Sequence, residues 1–156
     1  MTTARYAVVH SSDMMNNEFI RVQQADFDIA SATQRVESKT NEVGGIVTFL
    51  GSVRSISKGR KVERLEYSIY ENMAEKKLSD IRQAALDTEG IHEVLLYHRH
   101  GELDVGEHTI LIIVGGEHRE EAYQISRDIL ERVKNEVPIW KKEITEEQIV
   151  LLHFWN

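Results

Sequence analysis

The chain has no cysteine, a single proline and no apolar run longer than a strand. Without cysteine there is no disulfide, no thiolate nucleophile and no zinc–thiolate site. One proline and no low-complexity tract argue against a disordered tail or an interdomain linker. Runs such as Ile110-Leu111-Ile112-Ile113-Val114 fall far short of a membrane span. Met1-Thr2-Thr3-Ala4-Arg5 leads into no signal-type hydrophobic stretch, so the expectation is a cytoplasmic protein. Basic residues are also in deficit, with 19 Lys and Arg against 26 Asp and Glu and a net charge of −7. General nucleic-acid binders carry a basic excess, so that class is disfavoured, although net charge hides local distribution.

What is present suffices for one folded domain: 156 residues, 41% of them hydrophobic. Residues 1–17 read as a weakly ordered lead-in and residues 18–156 as a single domain. A strand is expected over residues 18–23, and a helix over 29–37 with Asp28 as N-cap and Ile29, Ala32 and Val36 on one face. Gly44-Gly45 opens a strand over 46–54, followed by a mobile polar loop over 55–60. Val62, Leu65, Tyr67 and Ile69 mark another strand. Ala74, Leu78, Ile81 and Ala85 mark a helix over 73–88, with Gly90 as its C′ residue. Strands over 91–98 and 109–114 flank a turn-rich piece, residues 101–106. Ala122, Ile125, Ile129 and Val133 form the stripe of a third helix over 118–136, which Pro138 forbids from continuing. A last short strand covers 147–154. This order predicts an α+β fold with a mixed or largely antiparallel sheet.

The basic residues gather around that third helix. His118 and Arg119 stand at its start, where backbone N–H groups could help them hold a phosphate; the plain alternative is a solvated turn. Lys134 flanks the apolar stripe in the last turn, a common place for a lysine to meet the helix dipole. Then comes Pro138-Ile139-Trp140-Lys141-Lys142-Glu143. If this piece is extended, Lys141 and Lys142 point to opposite faces and only one enters a pocket. A lysine held in an apolar, cation-rich pocket becomes a usable base or nucleophile. Arg54 ends a strand beside the loop carrying Lys58, Arg60 and Lys61, which reads most simply as solvated. His98 and His100 could form a metal pair, but no third ligand is evident and a structural role is favoured.

These segments, in this order, resemble the large, catalytic subunit of molybdopterin synthase. The resemblance rests on residues 45–54 (GIVTFLGSVR), Leu65-Glu66-Tyr67 with Tyr70, Met73 and Ala74, and residues 98–103 (HRHGEL) with Gly106-Glu107. It continues through His118-Arg119 with Ala122-Tyr123, Lys134, and residues 138–143 (PIWKKE). It covers roughly residues 18–150. It implies an α/β hammerhead-type fold with an additional small antiparallel sheet. It further implies a homodimer that binds two copies of a small ubiquitin-like subunit, giving a heterotetramer. The implied reaction moves sulfur from that partner's C-terminal Gly-Gly thiocarboxylate to cyclic pyranopterin monophosphate, forming the dithiolene of molybdopterin. No metal and no cofactor are implied. Carried over by position, Lys134 and Lys141 would be catalytic. Ser52, Val53, Arg54, His118, Arg119, Lys134, Lys141, Lys142 and Glu143 would bind substrate, and Phe49 would line the tail channel. Some pocket residues would come from the second protomer. The chain departs from the family pattern at Tyr123, where phenylalanine is usual. A binding module for an anionic tail without turnover, and a hydrolase with a metal on His98, His100 and His118, are the competing readings.

Overall fold

The computed structural model describes residues 18–146 and 149–153. The expected N-terminal lead-in, residues 1–17, and residues 154–156 lie outside the described residues. In chain order the elements are β1 (Ile20–Gln23), α1 (Ile29–Glu37), β2 (Gly45–Ser52), β3 (Ile56–Ser57), β4 (Arg60–Ile69) and α2 (Glu71–Leu86). Then come β5 (Ile91–Arg99), β6 (Gly101–Asp104), β7 (His108–Gly116), α3 (Arg119–Glu136), β8 (Ile139–Thr145) and β9 (Ile149–His153).

The first sheet runs β1-β5-β7-β2, with β1 parallel to β5 and the other pairs antiparallel. Its two central strands read as near-continuous aliphatic runs because both of their faces are covered. On one face Leu96, Ile110, Ile112 and Val114 pack with Leu78 and Ile81 of α2 and Ile129 and Val133 of α3. On the other face Leu95, Tyr97, Leu111 and Ile113 pack with Ala32 and Val36 of α1 and with Phe19 and Phe27. The second sheet is antiparallel: β3-β4-β8-β9, with β6 also pairing β4. The fold is α+β with an added antiparallel sheet, as expected.

Local chemistry explains the helix limits. Asp28 caps α1, its Oδ1 accepting from the Ser31 N–H at 3.0 Å. α3 starts with Glu120 and Glu121 in its first turn and ends with Lys134 in its last, both favourable to the dipole. It stops at Val137, which is extended as a residue before proline must be.

Three expectations need correction, and one segment gains an assignment. Gly90 is not the C′ residue of α2, because the helix ends at Leu86 with Asp87 as its cap. Instead its φ of +84° turns the chain into β5. Residues 101–104 are the strand β6, whose partner β4 is distant in sequence and invisible to local turn propensity. Residues 55–60 are no open loop: Ile56 and Ser57 pair with Lys61 and Arg60 in a two-residue hairpin. Residues 139–145 form a full strand, β8, which the proline and adjacent charges concealed.

Candidate functional site

Where the second sheet meets the end of β2 and the last turns of α3, a cleft of about 550 Å³ opens. Alternation along β8 decides what enters it. Lys141 and Glu143 line the cleft, opposite Tyr67 and Leu65 of β4. Lys142 takes the other face, its Nζ 3.6 Å from Glu66. The two lysines are thus separated, and it is Lys141 that faces inward.

Five cations border the cleft, Arg54, Lys58, Arg60, Lys134 and Lys141, with Glu143 the carboxylate among them. Burial holds the Lys141 ammonium below the usual lysine range. Glu143 opposes that shift, while Arg54, Lys134 and Lys58 add to it by like-charge repulsion. Glu143 is itself only 5% exposed, a buried carboxylate among these cations.

The floor is polar and neutral. Tyr67, buried and lining the cleft, is hydrogen-bonded to the Thr109 side chain. Burial raises its pKa, so the phenol keeps its proton. Beneath it lies His98, ring centroids 5.3 Å apart and edge to face. His98 is fully buried, and burial lowers its pKa to about 4. Its Nδ1 sits 2.7 Å from the Arg99 carbonyl, which can only accept, so Nδ1 carries the proton. Gly51 completes the floor. A Cβ there would stand 2.6 Å from Thr109 Oγ1 and 2.8 Å from Ile110 Cγ2, so only a bare backbone fits.

The other expected residues are placed as follows. Ser52, Arg54 and Phe49 line the cleft. Val53 does not: its side chain is in the core, its N–H donates to Glu107 O at 2.9 Å, and its carbonyl accepts from Gly106. His118 and Arg119 stand at the far end of α3, both exposed and outside the cleft. His118 Nδ1 lies 3.8 Å from Glu121. From Arg119 to Lys134 the helix rises about 22 Å, at about 1.5 Å per residue, so one chain cannot bring both to one point. His98 and His100 are not a joint site, since His100 reaches Glu71 at 3.5 Å while His98 lies under Tyr67. Among the described residues no group of three or more His, Asp or Glu could hold a metal ion. Arg99 is structural: it donates to Gln24 O at 2.7 and 3.0 Å and to His108 O at 3.2 Å, tying β1 to β7.

Tyr67 and Thr109 also line the cleft, and nothing in the local sequence marks them. In sequence Lys58 and Arg60 look solvated, because a hairpin that folds back over a cleft resembles any polar loop.

An α+β chain with a cation-lined cleft around a half-buried lysine has the makings of an enzyme acting on an anion. Residues 22–136 match the family model described as MoaE protein, and the chain belongs to that family. The molybdopterin synthase catalytic subunit of Pyrococcus abyssi is 48% identical over 122 residues, covering 78% of this chain and 81% of the relative. That of Bacillus subtilis is 36% identical over 130 residues, covering 83% and 82%. The crystal structure of molybdopterin synthase from Staphylococcus aureus superposes with a TM-score of 0.80 at 34% identity, covering 87% of this chain and 97% of that one. A complex of subunits 1 and 2 of molybdopterin-converting factor from Helicobacter pylori shares the fold, with a TM-score of 0.70 at 22% identity over 85% and 89% of the two chains. This chain is therefore an enzyme subunit of the molybdopterin synthase class.

Proposed function

We propose that this chain transfers sulfur from the thiocarboxylated C-terminus of a small ubiquitin-like subunit to cyclic pyranopterin monophosphate, forming the dithiolene of molybdopterin. The observation that carries this reading is the convergence of Lys134, Lys141 and Arg54 on one cleft in a chain of net charge −7. Both reactants are anions at the points that matter, a phosphate and a thiocarboxylate, and a cationic cleft is complementary to both. The sulfur arrives on the partner, which accords with a chain that has no cysteine. Phe49, half-exposed at the rim, is suited to lie along a narrow Gly-Gly tail.

In this proposal Lys134 pairs with the thiocarboxylate. Lys141, whose lowered pKa brings its neutral form within reach, moves the proton as sulfur replaces oxygen. Arg54 and Ser52 hold the pterin. Glu143 keeps Lys141 oriented, and Lys142 supports the strip from its outer face. His118 and Arg119 act from the second protomer of a homodimer, which resolves their distance from Lys134. Two small subunits then make a heterotetramer, in keeping with the two-subunit complex of the Helicobacter pylori relative. The setting is cytoplasmic, and the transfer needs no metal or cofactor.

The test is to mix the purified protein with thiocarboxylated small subunit and cyclic pyranopterin monophosphate and to look for the dithiolene product. Product that vanishes with Lys134→Ala supports the reading. No product from the wild-type protein, with the tail still bound, replaces it with a binding module.

A further inference from the structure

We propose that Lys58, at the tip of the β3–β4 hairpin, is an additional binding residue for the anionic ligand of the cleft. This inference rests on the reading above and deepens it. Ser57 pairs with Arg60 across the hairpin, and both line the cleft, while Ile56 and Lys61 take the opposite face. Lys61 is occupied there, 3.2 Å from Glu146. The hairpin is therefore a wall of the site with a chemically distinct inner face.

Its turn is the informative part. Lys58 and Gly59 have φ of +48° and +77°, positive at both central positions of a two-residue loop. Such turns favour Asn-Gly or Gly-Gly, because an L side chain with a Cβ is strained there. Lys58 is the non-glycine residue with positive φ among the described residues. A lysine thus stands where turn chemistry favours asparagine, and the inference runs from that outlier to function. Two further observations point the same way. Lys58 lines the cleft. Its charge is also felt at Lys141, along with those of Arg54 and Lys134. Among the described residues no ion pair occupies Lys58.

The group it would take is an anionic oxygen: the phosphate of the pterin or the terminal carboxylate or thiocarboxylate of the partner's tail. Lys58→Asn separates conformation from charge, since asparagine suits the turn and carries none. The melting temperature should hold or rise by about 2–4 °C. The KM for the pterin or the Kd for the small subunit should rise about tenfold, with kcat little changed, as expected for binding shared by ground and transition states. Whichever constant moves names the anion. Lys58→Arg should restore it. If both constants stay within about twofold of wild type, the proposal is overturned. If the wild-type protein makes no dithiolene, the sulfur-transfer reading fails on its own. Titration with inorganic phosphate, comparing wild type with Lys58→Asn, then decides the role of Lys58: weaker binding supports it, and equal binding overturns it.

Discussion

Tyr67 and Lys141 face each other directly across β4 and β8, one a buried neutral phenol, the other a half-buried ammonium. The pairing puts a group that holds its proton beside one that is pushed to release it. Replacing Lys141 by methionine should therefore abolish turnover and, at neutral pH, raise the melting temperature by about 2 °C. The sign follows from the lowered folded pKa. The charge opposes folding fully below that pKa, and its cost fades as pH rises toward the unfolded value of about 10.4. The stability gain of the variant should shrink over the same window. Thermal melts from pH 7 to 10.5 check this; a variant less stable than wild type at pH 7 refutes it.

Lys134→Ala should lower turnover by at least about a hundredfold, the scale expected for a residue acting at the reacting group. Size-exclusion chromatography should show the assembly unchanged, because Lys134 contributes a charge to the cleft rather than packing to the core. Retained activity would remove it from the mechanism.

The rise of α3 gives a test of sites shared between protomers. Lys134→Ala and Arg119→Ala should each be inactive as pure proteins. Co-refolded as mixed dimers, they should recover about a quarter of wild-type activity, since half the dimers then carry one intact site of two. No recovery would place Arg119 outside the partner's cleft.

Acid should act through His98. Its folded pKa of about 4 lies below its ordinary 6.5, so its contribution to stability is full above about pH 6.5 and is lost as pH falls through the folded value. The loss is roughly 3 kcal/mol by the usual conversion. His98→Phe should flatten that part of the stability–pH curve while keeping an aromatic ring under Tyr67. Denaturant melts between pH 4 and 7 measure it.

Gly51→Ala should cost about 1–3 kcal/mol, since the added methyl meets Thr109 and Ile110 at closer than van der Waals distance. Chemical denaturation gives the value, and an unchanged midpoint would mean the floor yields without cost.

Much of this was legible in the chain. Helix α1 was readable to its end residues because Asp28 caps it and Ala32 and Val36 mark its buried face. Lys134 and the Lys141–Lys142 pair stand out in the sequence beside an apolar stripe and a proline, but the choice of Lys134 and Lys141 comes from the family resemblance. What local sequence does not show depends on distant pairing. β6 exists because β4 is beside it, and Lys58 faces the cleft because a hairpin turns it there. Tyr67 and Thr109 looked like ordinary strand residues until two sheets brought their hydroxyls together. The distance between Arg119 and Lys134 follows from helix geometry once both are placed on α3.

The adjacent lysines of β8 carry a further implication. A strand slipped by one residue would still present a lysine to the cleft, so charge alone could not tell the right register from the wrong one. The neighbours can. The slip would eject Ile139 from the core, turn Glu143 outward, take Ile144 from its own buried position and move the half-buried Trp140 to the opposite face. Apolar packing thus acts as proofreading for an electrostatic feature that is ambiguous by itself, and a single-residue insertion between Pro138 and Lys141 should silence the enzyme without making its cleft any less positive.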